Sequence, residues 1–247
     1  MNLFEKSKQE KTATIPKRFI RIWLGPKKIP DLFKKWWLDF QSIHPDYEFI
    51  TITDQESMLC NESLNSNHKF IDSNSFWETE DTAYYHLQPF YQKAKTYAGC
   101  SDILRIIALY EIGGIYIDTD MMPLKSFNGL LEESTPFACK RSGKSFESAV
   151  LGGPAKDPAF LSLLNAVPGW YELHKEKVMI FAGAFISHLW FGNPDIRHLP
   201  IKTFYPYSGF MAPKRHEKEK IFENTNNFPE EMIAAHFSNH IWGGKPK

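Results

Sequence analysis

The sequence predicts an α/β fold built on a mostly parallel sheet, and three observations carry that expectation. FIRIWLG, rich in strand formers, is followed by an amphipathic helix pattern and a second strand-like run, YEFITIT, within about 35 residues, the length of a βαβ crossover. Farther on, a helix-spaced apolar run stops at Gly113-Gly114 and passes directly into the strand-like IYID. With 43% hydrophobic and 15% aromatic residues in 247, the chain also has apolar area enough to offset the ordering entropy of one sizeable core.

Taken in order, residues 1–13 are polar and charged and read as a flexible arm ahead of a single domain, 14–247. The first strand begins near Phe19 and stops at Gly25-Pro26. Asp31 is a suitable N-cap for a helix whose apolar positions are Leu32, Phe33, Trp36, Trp37 and Phe40, with Lys34, Lys35 and Asp39 toward water. His44-Pro45-Asp46 breaks that helix, and YEFITIT runs to Asp54. Residues 55–95 are polar with scattered aromatics and support only one or two helices. Ser101 reads as the N-cap of a helix carrying Ile103, Leu104, Ile107 and Ala108 and ending at the double glycine. Ile115 and Ile117 alternate with Tyr116, so the next strand delivers Asp118 and Asp120 at its carboxyl end, where open α/β sheets place ligands. FACKR (137–141) and AVLGG (149–153) read as strands, and 158–164 as a helix before a break at Pro168-Gly169. MIFAGAFISHLW is an apolar block whose pattern does not settle its type, and KRHEKEK (214–220) reads as a solvated face.

Composition removes several function classes. Twenty-nine basic residues balance 29 acidic ones, so the chain lacks the positive field of a nucleic-acid binder, and any phosphate must be held locally. Three cysteines, at 60, 100 and 139, have no CxxC spacing, which argues against a disulfide framework or thiolate zinc site and for a reducing compartment. No run of about 18 apolar residues is present, and the N-terminus lacks the pattern of a secretory signal. The expectation is a soluble cytoplasmic protein. Trp36 and Trp37 are better read as core than as lipid contacts, which leaves peripheral membrane association as the one membrane role open.

The chemistry concentrates around Asp118-Thr119-Asp120. Two carboxylates one residue apart can share a hard divalent cation such as Mn²⁺ or Mg²⁺, whose coordination substrate phosphates usually complete. Such an ion neutralises charge on a departing diphosphate. Asp102 and Arg105 lie at i and i+3; they are either a surface ion pair or a carboxylate and guanidinium that grip sugar hydroxyls. Trp23 can stack on a nucleobase or pack in the core. In HFSNHIWGG, His236 and His240 are four apart, a spacing that on a helix aims both imidazoles the same way and makes either a candidate third metal ligand.

The order IPKRFIRIWLG, KWWLDFQSIHPDYEF, SDILRIIALYEIGGIYIDTDMMPL and AAHFSNHIW resembles glycosyltransferase family 32 and the related catalytic domains of large clostridial glucosylating toxins. The block from Ser101 to Pro123 is the most specific part. The resemblance implies a GT-A fold with a Rossmann-like, mixed and mostly parallel sheet, a nucleotide-sugar donor, and transfer with retention of anomeric configuration. It implies base stacking by Trp23, a nucleoside lining from Ser101 and Tyr116, and a donor-sugar grip by Asp102 with Arg105. It further implies that Asp118 touches ribose and sugar, that Asp120 binds the metal, and that Trp242 contacts the leaving phosphates. Ile241 departs from the serine many relatives carry, so the third ligand stays open between His236 and His240. The expected acceptor is a glycan, lipid-linked saccharide or protein, in bacterial capsule or lipopolysaccharide assembly or as a secreted effector. Two rivals carry less weight: a haloacid-dehalogenase-like phosphatase, whose motif wants Thr or Val where Met122 stands, and a non-catalytic nucleotide-sugar binding module.

Overall fold

The computed structural model describes residues 14–60, 68–141, 145–174, 182–207 and 215–238. In chain order the elements are β1 (Arg18–Trp23), α1 (Asp31–Ile43), β2 (Glu48–Thr53), α2 (Gln55–Cys60), β3 (Lys69–Asp72), α3 (Gln88–Gln92), α4 (Tyr97–Ile112), β4 (Gly114–Ile117), β5 (Met121–Pro123), β6 (Phe137–Lys140), β7 (Phe146–Gly153), α5 (Pro158–His174), α6 (Gly183–Trp190), β8 (Arg197–Pro200), α7 (Arg215–Phe222) and β9 (Ala234–His236). Seven strands form one sheet in the order β3-β2-β1-β4-β7-β6-β8. β7 pairs antiparallel with both β4 and β6, and the other pairings are parallel, so the sheet is mixed and mostly parallel, as expected.

The period of two along β1 and β4 sorts side chains onto two faces. Phe19, Ile115 and Ile117 pack toward α1 with Trp37, Phe40 and Phe49. Ile20, Ile22 and Tyr116 pack toward α4 with Leu104, Ile107 and Ala108. Helix α4 is apolar on nearly all sides because strands lie under it and α5 packs against it, burying residues 99–109. Its end is set by Gly113 at φ 63°, where a Cβ would meet the Ala155 backbone nitrogen at 2.5 Å.

Several boundaries differ from the sequence reading. Helix α4 begins at Tyr97 with Thr96 as N-cap, its side chain accepting from the Gly99 N–H at 3.1 Å, so Ser101 is a buried interior residue. Pro30 caps α1, and Asp31 occupies the first helical turn without capping it. Helix α5 runs through Pro168 to His174; Phe160, Leu163, Leu164 and Val167 are all buried, and that packing outweighs the hydrogen bond proline removes. The short strands β3, β5, β8 and β9 escaped the sequence reading. KRHEKEK is not wholly a solvated face: Lys218 of α7 is buried. No helix among the described residues is long and apolar enough to cross a membrane.

Candidate active site

The parity that turns Tyr116 toward α4 also turns Asp118 that way, one step past the end of β4. The Tyr116 hydroxyl donates to Asp118 Oδ1 at 2.6 Å, and burial, then the Asp118 charge and that bond, hold this phenol well above its usual range. Ser101 is another partner of the same phenol. Arg105 lies over the Tyr116 ring, 4.6 Å from its centroid. The guanidinium meets Asp102 Oδ1 at 2.6 Å, Asp118 Oδ1 at 3.5 Å and donates to the Ser148 carbonyl at 2.7 Å.

The reading of Asp102 and Arg105 as a surface pair is thereby overturned: they are 1% and 5% exposed. Burial pushes the Asp102 carboxyl up to about 6, with Arg105 pulling down and Asp118 up, so it is ionised at neutral pH. Burial disfavours the charge on Arg105 too, but Tyr116, Asp102 and Asp118 outweigh it and keep the guanidinium protonated. Asp102 Oδ2 and Arg105 Nε are buried without a hydrogen-bond partner among the described residues. The pair therefore keeps one acceptor and one donor for a ligand.

The second half of the site arrives from the far end of the chain. In the two-stranded sheet β5–β9, Met121 pairs with His236, and the Phe237 N–H donates to the Asp120 carbonyl at 3.0 Å. This brings His236 Nε2 to 3.2 Å from Asp120 Oδ1 and 3.7 Å from Asp118 Oδ2. The three side chains present ligand atoms within 4.8 Å of one another. Burial works against a charged imidazole, but the Asp120 charge and hydrogen bond, then Asp118 and Glu147, raise the His236 pKa above its usual value. Two carboxylates and one imidazole suit a hard-to-borderline divalent ion, Mn²⁺ somewhat better than Mg²⁺ on account of the nitrogen. His236 lies on a strand, so the helix geometry considered for its spacing from His240 does not apply; His240 and Trp242 lie outside the described residues.

Trp23 is 2% exposed and packs with Ile29, Phe33, Trp36 and Met122, its indole N–H donating to the Lys27 carbonyl. Stacking on a base would require that cluster to uncover one face of the ring. Three residues beside the site escaped the sequence reading. Glu147 of β7 is paired with Arg141 at 3.2 Å and raised by burial, with Arg141 and His236 opposing and Asp118 assisting. Tyr205 stacks edge-on with His236 at 5.3 Å and accepts from the Ala149 N–H. Lys218 is the third. None of the three gave a sequence signal: Glu147 falls outside the strand read at 149–153, and Lys218 falls in a segment read as a solvated face.

Residues 30–136 match the family described as glycosyltransferase sugar-binding region containing DXD motif. Inositol phosphoceramide mannosyltransferase 3 of Schizosaccharomyces pombe is 24% identical over 94% of this chain, and the chain spans 61% of that relative's length. Among solved structures, the PaToxG glycosyltransferase has a TM-score of 0.59 at 22% identity, covering 72% of this chain and 68% of that one. The UDP-bound glycosyltransferase domain of the YGT toxin has a TM-score of 0.52 at 13% identity, covering 66% and 63%. The sheet is that of the GT-A type, and the match over residues 30–136 supports a glycosyltransferase.

Proposed function

We propose that this chain, whose residues 30–136 carry the sugar-binding region of the DXD-containing glycosyltransferases, transfers a hexose from a nucleotide-sugar donor with retention of configuration. The observation that carries the reading is the convergence of Asp118, Asp120 and His236 on one point beside the buried Asp102–Arg105 pair. Mn²⁺ or Mg²⁺ bound there would neutralise charge on the departing nucleotide diphosphate. Asp120 and His236 would hold the ion, and Asp118 would face both the ion and the donor's ribose and sugar. Asp102 accepts from sugar hydroxyls and Arg105 donates to them, both fixed beforehand by burial, so little ordering is needed when the donor binds.

The C1–oxygen bond to the diphosphate breaks, and the acceptor oxygen bonds to C1 on the same face, its proton passing to the leaving phosphate. The same-face route is the one favoured, with Asp102 and Asp118 each paired to Arg105. By the resemblance, Ser101 and Tyr116 would line the nucleoside side and Trp242 would contact the leaving phosphates. A UDP-sugar is favoured, in keeping with the UDP-bound relative; the mannosyltransferase relative makes GDP-mannose the second arm of the test. The acceptor is a saccharide, free or lipid-linked, as in cytoplasmic bacterial capsule or lipopolysaccharide assembly; a protein acceptor, as for a secreted effector, is the second reading.

A thermal-shift screen of UDP- and GDP-sugars with and without Mn²⁺ tests the proposal, because a ligand that binds only the folded state raises Tm. A shift that needs both donor and Mn²⁺, with donor hydrolysis or transfer, is the expected result. Donor binding indifferent to metal, or phosphate release from simple phosphomonoesters without a nucleotide sugar, would overturn it.

A further inference from the structure

Helix α7 looks like a solvated segment, with Glu217, Glu219 and Lys220 exposed, yet Lys218 is turned inward and is only 9% exposed. Its ammonium donates to the Phe237 carbonyl at 3.1 Å and the Ser238 carbonyl at 3.2 Å. Burial lowers its pKa, with the Asp120 charge opposing that effect. Taking an ammonium out of water is costly, and two main-chain carbonyls are a modest return for the cost. What those carbonyls belong to gives the arrangement its sense.

Phe237 is tied by its N–H to the Asp120 carbonyl, and Ser238 stands at φ 54°, a left-handed conformation that a serine adopts only when its surroundings enforce it. In that conformation Ser238 Oγ lies 3.0 Å from His236 Nδ1. For Nε2 to offer its lone pair to a cation held with Asp118 and Asp120, the ring proton must sit on Nδ1 and be donated to an acceptor, which Ser238 Oγ supplies. A continuous chain of contacts therefore runs from Lys218 through the Phe237 and Ser238 carbonyls to Ser238 Oγ and the His236 ring.

We infer that Lys218 is a positioning residue for the cation site: it pins the Phe237–Ser238 turn so that Ser238 holds His236 with Nε2 aimed between the two aspartates. The inference rests on the metal-site reading given under Proposed function. It makes a counter-intuitive demand. A positive charge near Asp120 repels a bound cation, so electrostatics alone says that Lys218→Met should bind Mn²⁺ more tightly. Positioning says it should bind more weakly.

The test measures Mn²⁺ affinity of the full chain, without donor, by calorimetry and by the loss of the free-Mn²⁺ electron paramagnetic resonance signal. Lys218→Met is expected to weaken Mn²⁺ binding by about tenfold or more, the scale seen when a ligand's outer partner is lost. Lys218→Arg, which keeps charge and donors, is expected to recover most of the affinity. Ser238→Ala is expected to weaken binding likewise and, in the chain loaded with diamagnetic Mg²⁺, to shift the His236 nitrogen resonances away from the Nδ1-protonated tautomer. Tighter or unchanged Mn²⁺ binding by folded Lys218→Met overturns the inference. If Lys218→Met does not fold, Ser238→Ala decides: unchanged affinity and tautomer there overturn it equally. Failure of the unsubstituted chain to bind Mn²⁺ at all would instead strike the metal-site reading itself.

Discussion

The two halves of the site are built in opposite ways. The α4–β4 half places Asp102, Arg105, Tyr116 and Asp118 within a stretch of fewer than twenty residues, on a buried helix and the strand beside it. The C-terminal half brings His236, Ser238 and Lys218 from the far end of the chain through a two-stranded sheet and a lysine bonded to main-chain carbonyls. Rigidity differs accordingly. Asp102 and Arg105 are locked by a core that pays no regard to ligand, whereas His236 depends on pairings of three residues and a strained turn. Under the proposed function, the first half would hold the donor sugar and the second would bring the cation ligands together.

Asp120 belongs to both halves, so its loss should have the largest effect. Asp120→Asn is expected to abolish the Mn²⁺-dependent thermal shift and to lower turnover on the order of a hundredfold to a thousandfold, the scale of one lost charge-stabilising contact. A variant that retained the Mn²⁺-dependent shift and full turnover would show that the convergence of the two halves is structural only.

The contrast also explains what the sequence could disclose. The Ser101 to Pro123 block was legible because its chemistry is local: helical spacing, the double glycine and strand alternation place Asp102, Arg105, Tyr116 and Asp118 without any long-range pairing. Even there the start of α4 was missed, because Gly99 and the polar Lys93–Lys95 stretch mask a helix that begins at Tyr97. His236 was named as a candidate ligand, but the β9–β5 pairing that delivers it rests on Ala234-Ala235-His236 against Met121-Met122-Pro123, segments too short to carry a strand signal. Lys218 was illegible because a lysine between glutamates on a polar helix has the pattern of solvent exposure; only the tertiary position of the Phe237 and Ser238 carbonyls makes it buried.

Within the rigid half, Arg105→Met leaves the Asp102 carboxylate buried without its partner and should cost about 3 to 5 kcal/mol in chemical denaturation. Asp102→Asn is gentler. It should leave UDP or GDP binding in place and lose discrimination among donor sugars. Because Asp102 is pushed up to about 6, turnover in the unsubstituted chain should fall with an acid limb near that pH, and Asp102→Asn should remove this limb. An unchanged profile would move the grip on the sugar elsewhere.

The C-terminal half should respond to pH in the opposite sense. With its folded pKa raised, His236 in the metal-free chain contributes stability fully below about 6.5, and that contribution is lost as pH rises through the folded value. Mn²⁺ must displace the same proton, so its affinity should rise over the same window. Tm of the metal-free chain should therefore decline from about pH 6.5 upward while the Mn²⁺-induced shift grows. His236→Ala should flatten both trends and weaken Mn²⁺ by about tenfold or more. Parallel movement of the two trends would remove His236 from the cation site.

Ser238→Gly separates fold from function within a single turn. Glycine adopts φ 54° without penalty, so relief of the left-handed strain should stabilise the metal-free chain by up to about 1 kcal/mol, offset in part by glycine's greater freedom in the unfolded state. The same substitution deletes the oxygen 3.0 Å from His236 Nδ1, so Mn²⁺ affinity should fall. A chain that is as stable or more stable yet binds the cation less well would show that the turn keeps serine for the sake of the imidazole; if affinity were unchanged, the strain at Ser238 would have no bearing on the cation ligands.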